Sequence, residues 1–160
     1  MIKVNFELCH EDAICPYKAH GGDIGYDVFP AFDEDYIEIK PGETKLVPTG
    51  VKSNFSEEYG VIFKERSGLG SKGIKVSAGL VDSSYLGEWH VAVYNTKDKS
   101  LIIAKYPEDW SEEEAYIIDY SNAITQAVFV DAYQIEPNIV NDIEQYETMR
   151  GTKGFGSTDT

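Results

Sequence analysis

The sequence predicts an all-β fold, and three observations carry that prediction. Apolar and polar residues alternate through six separate stretches. Glycine- and proline-containing turn signals stand between them. The 160 residues suit one domain large enough to bury a core. Many short strands with Gly-rich turns in one domain imply a sandwich, jelly roll or barrel.

Taken in order, the strands are expected at "IKVNFEL" (2–8), "YIEIK" (36–40), "TKLVPTGVKSNF" (44–55), "GVIFKE" (60–65), "EWHVAVYN" (88–95) and "ITQAVFVDAYQI" (124–135). Turns are expected at "HGGDIG", "KPGE", "SGLGSKG" and "SSYLGE". One segment breaks the pattern. "YPEDWSEEEAYIIDYSN" (106–122) is acidic and aromatic, and Ser111 with Glu114 forms a capping-box pattern, which predicts a short helix. From Asn141 onward the chain is polar, then Gly-rich, without strand periodicity. That reads as an arm over 141–160 following a barrel domain over 1–140.

The formal net charge is −14, from 28 acids against 14 bases. Such a balance disfavours nucleic acid or an anionic membrane as partner. No run is long enough to span a bilayer, and "MIKVNFELCHED" lacks a signal-peptide core, so a cytoplasmic protein is expected. The two cysteines, Cys9 and Cys15, lie near His10 and His20 but form no C-x-x-C pair. Free thiols are the preferred reading over a zinc site.

Four stretches could carry chemistry. In "RSGLGSKG" (66–73) a strand ends in Arg66, Ser67 and Gly68, which can offer a guanidinium, a hydroxyl and successive N–H groups to phosphate oxygens. The spacing is not that of a P-loop, and a plain turn is the alternative. In "SAGLVDSSYLGEW" (77–89), Asp82 is placed to act as a general base for a water, and Tyr85 to pack on a flat ligand. The alternative is a turn-forming Asp and a half-buried Tyr. In "GGDIGYDVF" (21–29), Asp27 follows Gly25 and Tyr26 at the start of a strand, where an ordinary turn is the simpler reading. The fourth stretch is the tail, "RGTKGFGSTDT" (150–160). Arg150 and Arg66 are the only arginines of the chain, and each precedes a stretch of glycine and small hydroxyls. A frayed end is the bland alternative.

Together these stretches resemble the trimeric dUTP diphosphatase (dUTPase) family over nearly the full length. Five short motifs occur in the family's order: "GYD" (25–27), "RSGLGSKGI" (66–74), "GLVDSSYLGE" (79–88), "ITQAVF" (124–129) and "RGTKGFGST" (150–158). The resemblance implies a jelly-roll-like β-barrel with a flexible C-terminal arm. It also implies a homotrimer with active sites at subunit interfaces, and hydrolysis of dUTP to dUMP and pyrophosphate. Mg²⁺ would be held mainly by substrate phosphates and waters, without dedicated protein ligands. Asp82 would deprotonate the water attacking the α-phosphorus, and Tyr85 would exclude a ribose 2′-OH. A hairpin over 76–85, including Ser77, Gly79 and Val81, would read uracil through its main chain. Arg66, Ser67, Gly68 and Gln126 would hold the inner phosphates. Arg150, Ser157 and Thr158 would hold the outer ones, with Phe155 and Gly156 closing over the base. Asp27 would be a supporting carboxylate near the metal's waters or the arm.

The chain departs from the family in places. Val76 and Ser77 stand where many members have an asparagine. Glu65 replaces a proline, Ala123 an arginine, and Lys153 a glycine. The stretch 97–121 is longer than compact members need. It is expected as a surface insertion, either a decorated loop or a platform for a protein partner. Two other identities share the fold: a dCTP deaminase-related enzyme, and a non-catalytic interaction protein. The "DSSY" and "GFGST" stretches favour the dUTPase over the first, and Asp82 with Arg150 over the second.

Overall fold

The computed structural model describes residues 1–149 and 151–152. Among the described residues twelve strands form four small sheets around a main core, with a smaller cluster of Ile102, Ala104 and Ala115 beside it. The first strands are β1 (Asn5–Leu8), β2 (Tyr26–Val28), β3 (Tyr36–Ile39), β4 (Thr44–Pro48), β5 (Val51–Asn54) and β6 (Tyr59–Lys64). They are followed by β7 (Ile74–Ser77), β8 (Leu80–Asp82), β9 (His90–Asn95), β10 (Ser100–Ala104), β11 (Ala115–Asp119) and β12 (Thr125–Asp131). A single helical turn, α1 (Ser67–Gly70), follows β6. The sheet orders are β2-β12-β6-β8, β4-β9-β7, β11-β10-β3 and β1-β5. All pairs are antiparallel except β10 with β11. The architecture is all-β, as the alternation predicts, and is the jelly-roll-like barrel that the resemblance implies.

Residues 44–55, expected as one strand, form two. Pro48 cannot donate to a ladder, and Gly50 adopts φ +63°. A Cβ on Gly50 would lie 2.7 Å from the Cβ atoms of both Ala13 and His10, so only glycine fits this corner. β4 then stays with β9 while β5 crosses to β1. Trp89 fills the centre beneath the corner, at 1% exposure. Its ring meets Phe63 and Phe6 edge-on, and its indole N–H donates to Ser53 Oγ at 3.1 Å. A buried indole thus keeps both its packing and its hydrogen bond.

The stretch 97–121 is not a surface insertion throughout. β10 is the middle strand of its sheet, and Leu101 to Ala104 are at most 1% exposed. Only about 105–114 projects outward. There Pro107–Asp109 forms one 3₁₀ turn, and Trp110 packs edge-on against Tyr36 at 4.7 Å. The helix expected from Ser111 and Glu114 does not propagate. Ser111 Oγ accepts the Glu113 N–H, and the Ser111 carbonyl accepts from Glu114 and Ala115, closing one turn. The chain then enters β11, because pairing of "AYIID" along β10 outweighs a local cap.

Tyr120, just after β11, fastens the N-terminal loops. Its hydroxyl accepts the Phe32 N–H at 3.1 Å and donates to Asp12 Oδ2 at 3.2 Å. Burial raises its pKa above the ordinary 10.0. This stabilisation is present below the unfolded pKa and is lost as pH rises through the higher folded value. The melting temperature should therefore fall above pH 10. Tyr120→Phe should show a smaller alkaline fall, at a cost of about 1 kcal/mol near neutrality. Identical alkaline profiles in parent and variant would remove Tyr120 from this role.

Candidate active site

The predicted site residues within the described part of the chain fall into two clusters. The first forms where β2, β6 and β12 lie side by side. β12 pairs with β2 so that Gln126 faces Asp27, and with β6 so that Gln126 also faces Lys64. Gln126 Nε2 donates to Asp27 Oδ1 at 3.0 Å. The Arg66 Nε lies 3.5 Å from the same oxygen, and its Nη1 donates to the Ala123 carbonyl at 3.0 Å. Asp27 is 8% exposed. A carboxylate that deep aims both donors and neutralises part of the guanidinium charge. Gly25 permits the approach, since a Cβ there would lie 2.9 Å from Gln126 Cβ.

Beyond Arg66 the chain turns through α1, so Ser67 and Gly68 are exposed at the rim of an open groove of about 480 Å³. The groove is also lined by Lys72 and Asn122, which the motif reading did not select. Lys72 was detectable in principle as the one cation besides Arg66 within "RSGLGSKG". Ile117 and Ile118 of β11 form a further wall that no local signal announces. The cluster presents a guanidinium, an ammonium, a hydroxyl and amides, a donor set for phosphate oxygens.

The second cluster follows β7. The expected hairpin over 76–85 is not a paired hairpin. β7 pairs with β9 and β8 pairs with β6, so the segment crosses between sheets. The crossing is set by Ala78 at φ +49° and by the Gly79 carbonyl, which accepts the Phe63 N–H at 2.6 Å. A Cβ on Gly79 would lie 2.9 Å from the Phe63 oxygen, so glycine allows this contact. Ser77 and Gly79 thus stand at the corner, and Val81 is buried behind it. Asp82 is exposed at the end of β8, and its carbonyl accepts the Tyr85 N–H at 3.0 Å. The Tyr85 hydroxyl donates to the Glu88 carbonyl at 3.0 Å, laying the ring over Gly87. Asp82, Tyr85, Ala78 and Val81 line a hollow of about 230 Å³ over Trp89.

Asp82 and Arg66 lie apart within the chain, whereas the Ser77–Gly79 corner reaches the Arg66 end of β6. Asp82 pairs with Gly60 at one end of β6, whereas Arg66 follows the other end. Six residue steps of extended chain separate Gly60 from Arg66, about 20 Å. Arg150, Phe155, Gly156, Ser157 and Thr158 lie outside the described residues.

The family model described as dUTPase matches residues 11–107. The deoxyuridine 5'-triphosphate nucleotidohydrolase of Haemophilus influenzae (strain PittEE) is 37% identical over 145 residues, covering 88% of this chain and 84% of that protein. The Photorhabdus laumondii protein of the same name is 35% identical over 150 residues, covering 91% and 87%. A mutant dUTPase of Staphylococcus bacteriophage 80alpha, solved with dUpNHpp, has a TM-score of 0.78 at 23% identity, covering 99% of both chains. A mutant dUTPase of S. aureus phage phi11, whose structure describes a coordinated structural Mg(II) ion, has a TM-score of 0.70 at 23% identity. It covers 89% of this chain and 99% of its own. The profile match and the sequence relatives place the chain in the dUTPase family, the dUTP diphosphatases.

Proposed function

We propose that this dUTP diphosphatase forms dUMP and pyrophosphate by attack of an Asp82-activated water on the α-phosphorus. The observation that carries the reading is the shared turn of Asp82 and Tyr85 at the mouth of one hollow. A base and a flat ring are thereby held at fixed separation. Asp82 takes the proton as the water's oxygen bonds to phosphorus, and the bond to the pyrophosphate oxygen breaks. The main chain at Ser77, Gly79 and Val81 reads uracil. Arg66, Ser67, Gly68 and Gln126 bind the inner phosphates, and Asp27 keeps Arg66 and Gln126 aimed. Hydrolysis in ¹⁸O-water tests the point of attack: label should enter dUMP, and label found in pyrophosphate instead would overturn it.

Mg²⁺ typically retains several waters and takes one or two carboxylates besides substrate phosphates. Among the described residues no three His, Cys, Asp or Glu side chains gather as a metal cage. Asp27, beside the Arg66 groove, fits a metal carried on the triphosphate, where its oxygens would reach the metal's waters. Bound there, the ion supplies charge neutralisation and orientation of the phosphates.

The separation of Asp82 from Arg66 along β6 supports a homotrimer whose sites combine the Asp82 cluster of one chain with the Arg66 groove of another. The arm over 141–160 would complete the site. Exposed Tyr133, Ile135, Ile139 and Ile143 suit a segment that packs on a neighbour. Asp82→Asn and Arg66→Ala chains should each be inactive alone. Co-folded in equal amounts, they should regain activity in about a quarter of sites, because each site draws its two halves independently. Absence of recovery in verified mixed trimers would contradict the shared site.

Tyr85 is the sugar gate in this reading. An alanine Cβ at position 87 would lie 2.5 Å from the Tyr85 Cζ and Oη atoms, so Gly87→Ala must displace the ring. Both Gly87→Ala and Tyr85→Ala should lower the dUTP/UTP ratio of kcat/KM by about tenfold or more. An unchanged ratio in both would leave Tyr85 a packing role.

A further inference from the structure

We infer that Glu65 is a positioning residue that fixes the phosphate loop against the edge of β7 and thereby sets the aim of Arg66. The inference rests on the phosphate-binding reading of Arg66 given above.

Three consecutive residues at the end of β6 are each tied to a different element. The Lys64 carbonyl accepts the Thr125 hydroxyl at 2.9 Å. Glu65 Oε1 accepts the Val76 N–H at 3.3 Å. The Arg66 guanidinium donates to the Ala123 carbonyl and meets Asp27. Successive side chains of an extended chain point to opposite sides. Glu65 therefore reaches β7 while Arg66 reaches the β2–β12 side.

β7 is the outer strand of the β4-β9-β7 sheet. Val76 pairs with Val93 on β9, and its N–H is turned to the open edge, where the carboxylate receives it. An edge amide would otherwise face water or another chain. The contact bridges two sheets at the point where the phosphate loop begins. The floor beneath it is close: a Cβ on Gly70 would lie 3.1 Å from Glu65 Cβ. The Glu65 carboxyl is held below its ordinary range, first by its own backbone N–H and then by that of Val76, with Lys64 and Lys75 adding attraction. It is thus ionised, and an acceptor, at neutral pH.

Three substitutions in the full-length protein separate reach from charge. Glu65→Gln keeps an oxygen at the same reach. Glu65→Asp keeps the charge but is one methylene short. Glu65→Ala removes both. Glu65→Gln should stay within about twofold of the parent, whereas Glu65→Asp and Glu65→Ala should lose about tenfold in kcat/KM, mainly through KM. Combined with Arg66→Lys, the Glu65→Asp loss should be less than additive, because both act through one guanidinium. Parental kinetics in Glu65→Asp, or an equal loss in Glu65→Gln, would overturn the proposal, and so would full additivity with Arg66→Lys. Arg66→Ala serves as the control. Its inactivity alongside a normal Glu65→Asp enzyme rejects the role of Glu65 alone, whereas an active Arg66→Ala enzyme rejects the phosphate reading itself.

Discussion

Asp82→Asn is expected to abolish turnover while leaving nucleotide binding within about tenfold of the parent. The amide keeps the volume and one acceptor oxygen, so the end of β8 and its turn to Tyr85 should persist. That turn uses the Asp82 carbonyl, not its side chain. The carboxylate is exposed, so its replacement leaves no buried charge uncompensated. What is lost is the proton acceptor. A positioned general base is worth about 10²–10⁴ in rate, and the triphosphate contacts alone cannot replace it. The measurement pairs pyrophosphate release with the affinity for a non-hydrolysable dUTP analogue. Turnover near the parent rate would dismiss Asp82 as the base. Weakened binding by several orders of magnitude would instead make it a substrate ligand.

The all-β class was legible because several core strands alternate, with Val51 and Ser53 buried in β5 and Val61 and Phe63 buried in β6. β10 was hidden for the opposite reason. Leu101 to Ala104 are buried on both faces, and such a run shows no period of two. The hairpin over 76–85 that the resemblance implies is not formed by β7 and β8 pairing with each other. Their partners, β9 and β6, lie on different sheets, which no local pattern encodes. In the same way, Asp27, Arg66 and Gln126 stand far apart in sequence, and only the resemblance groups Arg66 with Gln126. Register places Asp27 opposite Gln126, and the β6 end brings Arg66 to both. Lys72 and Asn122 enter the groove only through the turn of α1 and the return from β11. Side-chain chemistry could be read from the residues, whereas proximity required the pairing of distant strands.

Deletion of residues 150–160 should leave a folded protein with a nearly unchanged melting temperature but depress hydrolysis by several orders of magnitude. The sequence "RGTKGFGSTDT" has no apolar pattern that a core would need. Among the described residues the core runs from Val28 to Ala127. The truncated enzyme should still bind dUMP, whose base and single phosphate would engage the Asp82 hollow and the Arg66 groove of the proposed site. The triphosphate is different. It brings added negative charge to a chain of formal charge −14, and the tail carries the second of its two arginines. Arg150→Lys should already be costly, because an ammonium cannot make a planar bidentate contact with phosphate. Phe155→Ala should be milder, losing one stacking contact worth about 1–3 kcal/mol. The arm reading also predicts a physical change on binding. Protease cleavage within 150–160 should slow when a non-hydrolysable dUTP analogue and Mg²⁺ are both present, and should not slow with dUMP alone. Equal cleavage under all conditions, or parental hydrolysis by the truncated enzyme, would show that the tail does not close the site.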